Sequence, residues 1–165
     1  MGDRYESLQP PSLTATVASM PRRWKEAFHV PAPKSVDEVF TIAGPDGTSP
    51  AEHLGATISM ITTLADAIRT TSYSVPEPLG PEVGAAVANA GSGPWPDSAH
   101  EGLDSLISLM ERLLEQLEQL SPSDWNRSAD SGTQTYTVLA LAQGASRVAA
   151  ERLAKVDRLI DTLAG

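Results

Sequence analysis

One long helical pattern near the end of the sequence constrains the fold most. From about Tyr136 to Ala164, apolar residues recur at the spacing of a single helix face: Leu141, Ala145, Val148, Val156, Leu159 and Leu163. Arg152 falls inside this apolar stripe. An unpaired guanidinium is costly to bury, so Arg152 must either extend its head group to water or bond to a partner. The surroundings of Arg152 therefore decide whether this residue has a packing role or a binding role.

Three further helical patterns precede it, at residues 12–28, 50–70 and 98–120. Pro21 lies inside the first, where we expect a kink or two short helices because proline removes an intrahelical hydrogen bond. No stretch beyond a few residues alternates as a strand does. The sequence therefore predicts an all-α fold, a four-helix bundle with long connections between helices one and two and between helices two and three. We expect one domain over residues 1–165, in which residues 1–11 are loosely ordered.

The second long connection, residues 72–97, is rich in proline and glycine. Its segment PEVGAAVANA favours a short helix, while the rest excludes a long regular element. A connection of this length is unusual inside a domain and suggests a lid or the wall of a pocket. We expect Trp95, in GSGPWP, to close over a ligand there.

Composition narrows the class of protein. The formal net charge of −9 argues against nucleic acid and anionic membranes as partners, because binding their phosphates requires clustered Lys and Arg. The absence of cysteine excludes structural disulfides and thiolate metal sites. The longest apolar runs are far below the roughly 18 residues of a membrane span. We therefore interpret the sequence as that of a soluble cytoplasmic protein.

Three segments carry a resemblance to a known group. They are GPDGTSPAEHLGATI at the start of the second helix, LSPSDW after the third, and TVLALAQGASRVAAERLAKVDRLI in the fourth. In this order they resemble the DinB-like superfamily, which includes mycothiol-dependent maleylpyruvate isomerases and related thiol S-transferases. The resemblance spans most of residues 12–163. It implies a bundle whose metal is held by one His on helix two and by two His, or a Glu and a His, spaced four apart on helix four.

The implied ligand positions carry other residues in this chain. The resemblance places the two helix-four ligands at Val148 and Arg152, and the helix-two ligand near Ala56 or Thr57. None of these is a usual metal ligand. His53 lies one turn earlier and would replace the missing ligand only in a shifted register. We therefore predict no metal and no cofactor, and metal-dependent thiol transfer does not carry over.

Three functions remain open, and whether the chain is an enzyme is undecided. The first is a metal-independent protein that binds or processes a small, anionic organic ligand, with Arg152 as a fixed cation in place of the metal. His53, Thr57 and Trp95 would then line the site. The second is a non-catalytic bundle that forms a homodimer and has lost the ancestral activity. The third is a metal-dependent thiol S-transferase or isomerase that uses His53 with atypical ligands.

Overall fold

The computed structural model describes residues 7–73 and 77–165. Six α-helices and one β-hairpin occur in these ranges, and their class is mainly helical as expected. The helices are α1 (Pro10–Ala27), α2 (Val36–Val39), α3 (Pro50–Ser72), α4 (Glu82–Val87), α5 (Ala99–Glu118) and α6 (Val138–Ala164), and the strands are β1 (Ser128–Asp130) and β2 (Thr135–Thr137).

A hydroxyl side chain begins each of the three longest helices by accepting a hydrogen bond from the backbone N–H three residues on. The caps are Ser49 for α3, Ser98 for α5 and Thr137 for α6, at 3.1, 3.1 and 3.0 Å. Each bond pairs one of the N–H groups that a first helical turn leaves without a partner. The predicted starts of α3 and α5 agree with these caps, whereas α6 begins at Val138 rather than at Tyr136.

The first helix differs from its prediction in where it begins and in its continuity at Pro21. α1 begins at Pro10, so the segment predicted to be loosely ordered ends sooner, and its residues 1–6 lie outside the described residues. The expectation of two short helices is wrong, because α1 runs through Pro21. An interior proline costs about 3 kcal/mol. Burial of Met20 and Trp24, at roughly 1.5–3 kcal/mol for each large apolar side chain, offsets that cost.

The four long helices form the core. α3 packs against α5 and α6, and α1 packs against the same two helices. Their inward faces supply the largest of the fully buried side chains: Leu13, Met20, Trp24, Leu54, Ile61, Leu64, Ile68, Leu106, Met110, Leu113, Leu117 and Leu141. Among the described residues, no helix combines the length and the apolar character that crossing a membrane requires.

The connection between α3 and α5 lies directly on α3 and α6. The predicted short helix forms as α4 and packs against both of them. Residues 91–96, which we call the strap, then cross α3 at Gly55, where a methyl group would overlap the carbonyl oxygen of Pro94. Glycine at this position therefore allows the strap to contact the helix backbone. Residues 74–76 of the connection lie outside the described residues.

A short β-hairpin, which the sequence did not predict, precedes α6 in the mainly helical fold. β1 and β2 pair antiparallel, with Ala129 opposite Tyr136, and both side chains are buried. Gly132, at φ 92°, forms part of the turn between them. Strands of three residues are too short to show the alternation by which a strand is recognised in a sequence.

Candidate functional site

Arg152 lies on α6, half-buried, where that helix faces α3 and α4. Its Nε donates to Oδ1 of Asn89 at 2.8 Å, and its Nη2 donates to the backbone oxygen of Asn89 at 3.2 Å. Its Nη1 lies 2.9 Å from Nδ1 of His53. Guanidinium nitrogens only donate, so Nδ1 of His53 is the acceptor. Each of the three guanidinium nitrogens therefore bonds to a group of another element, and we call Arg152, His53 and Asn89 the Arg152 clamp.

His53 continues this bonding toward the surface. Because its Nδ1 accepts, the neutral ring carries its proton on Nε2, which lies 2.8 Å from the hydroxyl of Thr48. The hydroxyl of Thr48 lies 2.7 Å from Oδ1 of Asp46 and donates to it, since a carboxylate only accepts. One directed series of hydrogen bonds thus connects the Arg152 guanidinium with the exposed Asp46 carboxylate.

The electrostatics of this series keep His53 neutral. Burial, together with the nearby cations Arg152 and Lys155, lowers the pKa of His53 from 6.5 to about 4, while Asp46 opposes this shift. The ring is only 1% exposed, so burial is the dominant cause. Burial also lowers the pKa of Arg152, but a guanidinium stays protonated in proteins. At neutral pH a charged arginine therefore bonds to a neutral histidine.

Asn89 is the member of the clamp that the sequence analysis did not identify. It follows α4 with a φ of 55°, and its N–H donates to the carbonyl of Ala86 at 3.1 Å. Asn is among the few residues other than Gly that adopt this left-handed conformation readily at a helix end. Side-chain and backbone oxygens of the same residue then both contact Arg152. The only available sequence signal was an Asn followed by Ala-Gly after a short helical pattern.

The other two predicted site residues do not bond to the clamp's guanidinium. Thr57 is fully buried, and its hydroxyl donates to the carbonyl of His53 at 2.6 Å, one turn back along α3. Such a bond is common for threonine within helices. Trp95 lies in the strap over Gly55, and it is 50% exposed. Its role in covering a ligand stays a prediction.

The residues at the implied metal positions do not fit a metal. Val148 and Ala56 are buried apolar side chains, and Arg152 is a cation whose nitrogens are already bonded. Over residues 7–73 and 77–165, no group of three or more His, Asp or Glu side chains is placed to hold a metal ion. We therefore derive no step that uses a metal from this site.

A surface cleft of about 300 Å³ lies at the outer end of the hydrogen-bonded series. Its lining residues are Pro45, Asp46, Lys155, Arg158, Leu159 and Thr162. Asp46 belongs both to the cleft and to the series, whereas Arg152, His53 and Thr57 do not line it. The clamp and the cleft are therefore neighbouring but separate arrangements.

Comparison of the chain with family models, curated proteins and solved structures finds no match. The geometry of Arg152, His53 and Asn89 therefore has to be interpreted from its own chemistry. That geometry consists of a half-buried cation with every nitrogen bonded within the protein, beside a buried neutral imidazole.

Proposed function

We propose that this chain is a non-catalytic, metal-independent helical bundle related to the DinB-like superfamily, in which Arg152 fastens α6 to α3 and α4. One observation carries the proposal: all three guanidinium nitrogens of Arg152 bond to His53 and Asn89. An arginine that binds an anion must direct its N–H groups at the ligand. Three of its five N–H groups are instead directed at His53 and Asn89, and a ligand that took the positions of Asn89 would leave the polar groups of that residue without partners.

The state of His53 supports the same proposal. A general base needs a ring nitrogen that can contact the proton it removes. Both ring nitrogens of His53 are engaged, one by Arg152 and one by Thr48, and the ring is buried. His53 therefore fits a structural role better than a catalytic one.

The space between α3 and α6 also supports a lost activity. α4 packs against both helices, and Asn89, two residues after its end, bonds to Arg152. Val148 and Ala56 fill two of the implied ligand positions with apolar side chains. A chain that kept the bundle and exchanged its metal ligands for packing and hydrogen bonds would have this arrangement.

The proposal also includes the formation of a homodimer, which sedimentation equilibrium tests.

In the competing proposal, Arg152 binds an anionic ligand. The two proposals differ in whether such a ligand stabilises the wild type more than a variant that lacks Arg152. We would measure the thermal unfolding midpoint of the wild type and of Arg152→Met, with maleate or NaCl at equal ionic strength. If Arg152 is structural, Arg152→Met lowers the midpoint and maleate shifts the two proteins equally. Stabilisation by maleate of the wild type alone would contradict the proposal. Stoichiometric zinc or nickel in the purified protein would contradict it as well.

A further inference from the structure

The cleft at the outer end of the hydrogen-bonded series is built by a tight turn against α6. Gly44 approaches Leu159 so closely that a methyl group on Gly44 would overlap Cδ2 of that leucine. The turn is held by two backbone bonds, from Gly44 N–H to the Thr48 oxygen at 2.8 Å and from Gly47 N–H to the Gly44 oxygen at 3.0 Å. The volume of about 300 Å³ is at the lower end of the range for small-molecule sites. The cleft is therefore a defined concavity between two well-bonded elements.

Two cations face this cleft without partners. Lys155 and Arg158 are three residues apart on α6, so their side chains lie on the same helix face. Within residues 7–73 and 77–165, neither of them makes a hydrogen bond or an ion pair. Asp46, the carboxylate among the lining residues, accepts on its Oδ1 from the N–H and the hydroxyl of Thr48, at 2.9 and 2.7 Å. In a chain with a net charge of −9, two cations and one carboxylate therefore line the same concavity.

The charges and the walls together indicate the class of ligand. The charged residues that line the cleft, Lys155, Arg158 and Asp46, sum to one positive charge, which matches a monoanion better than a phosphate dianion. Pro45 and Leu159 add an apolar wall. We propose that this cleft binds a small monocarboxylate, with the carboxylate between the two cations and the apolar body against Pro45 and Leu159. The site is separate from the Arg152 clamp and goes beyond the proposed function.

The experiment compares two variants with the same net charge. Benzoate is titrated into the wild type, into Lys155→Gln/Arg158→Gln and into the control Lys25→Gln/Arg112→Gln, with binding followed by NMR at constant ionic strength. Lys25 and Arg112 are exposed on α1 and α5, away from the cleft. Since charge-assisted bonds are lost, we expect the cleft variant to bind benzoate at least about tenfold more weakly than the wild type. The control should bind benzoate as the wild type does.

Three results would overturn the proposal: no benzoate binding by the wild type, equal binding by the two variants, or inorganic phosphate binding as tightly as benzoate. Retention of benzoate binding by Arg152→Met is expected, because Arg152 does not line the cleft. Loss of binding in Arg152→Met with full binding in the cleft variant would move the anion site to Arg152. If the wild type does not bind benzoate but Arg152→Met still lowers the stability, the cleft proposal fails and the proposed function stands.

Discussion

The same helix, α6, carries two cationic regions that differ in burial and in hydrogen-bond partners. Arg152 lies where α6 meets α3 and α4, and its nitrogens are all bonded to other elements. Lys155 and Arg158, three and six residues later, lie at the surface and have no ion pair among the described residues. Because a cation removed from water needs replacement acceptors, burial at Arg152 requires a clamp and exposure at Arg158 does not. What faces the helix, rather than the residue type, decides whether an arginine is structural or available.

The largest effect should come from Arg152→Met. The substitution keeps an apolar stem but leaves Nδ1 of His53 and both oxygens of Asn89 without their donors, and each such group costs on the order of 1–3 kcal/mol. We expect the free energy of unfolding to fall by about 3–4 kcal/mol, measured by urea denaturation at pH 7. A loss below about 1 kcal/mol would mean that the buried and exposed arginines do not differ energetically.

Acid should weaken the clamp by a similar amount. The native pKa of His53, about 4, lies below its usual value of 6.5, so the folded state favours the neutral ring. This contribution is fully present above pH 6.5 and is lost as the pH falls toward 4, for a total of about 3 kcal/mol. Protonation also places a hydrogen on Nδ1 opposite the Arg152 N–H. Urea denaturation at a series of pH values measures the loss.

The control for the acid effect is His53→Gln, whose amide can accept from Arg152 and donate to Thr48 but does not titrate. Its unfolding free energy should fall less steeply over the same pH range. Identical pH dependence in the variant and the wild type would assign the acid effect to other groups.

A smaller effect is expected at Asn89. Asn89→Ala removes the acceptor for Nε of Arg152 and places alanine in a left-handed conformation, so we expect a loss of about 2 kcal/mol. Asn89→Gly removes the same acceptor without the backbone strain and should lose about 1 kcal/mol less. Thermal and urea unfolding of both variants separate the two contributions. Equal losses would show that the φ of 55° carries no cost.

The smallest effect should be that of Arg158→Met. It repeats the substitution made at Arg152 on an exposed side chain without an ion pair among the described residues. We expect the unfolding free energy to change by no more than about 0.5 kcal/mol. A loss comparable to that of Arg152→Met would contradict the distinction between the two regions.

Local chemistry allowed much of the helical framework to be predicted. The cap residues Ser49 and Ser98 are encoded next to the helices they start, and an apolar stripe of period 3.6 is visible in α6 without any tertiary information. The same stripe showed that Arg152 must either reach water or bond to a partner. Pro21 was misjudged because the burial that holds α1 together around it depends on neighbouring helices.

The partners of Arg152 were not predicted as such. His53 was placed in the same site as Arg152, because it borders the core on α3, whereas Asn89 depends on how the connection between α3 and α5 folds back onto α6. Nothing in the residues next to Asn89 encodes a contact with a residue 63 positions away. The clamp and the cleft are both formed by elements distant in sequence, which is why their geometry required a structure.

The spacing of the clamp residues along the chain has a kinetic consequence. Its contacts close loops of 63 and 99 residues, and such closures cost chain entropy before the contact can form. We therefore expect the clamp to be absent from the folding transition state, so that Asn89→Gly accelerates unfolding and leaves the folding rate nearly unchanged. Stopped-flow measurements across urea concentrations test this, and a slower folding rate would contradict it. On this view Arg152 governs how long the native state lasts, not how fast it is reached.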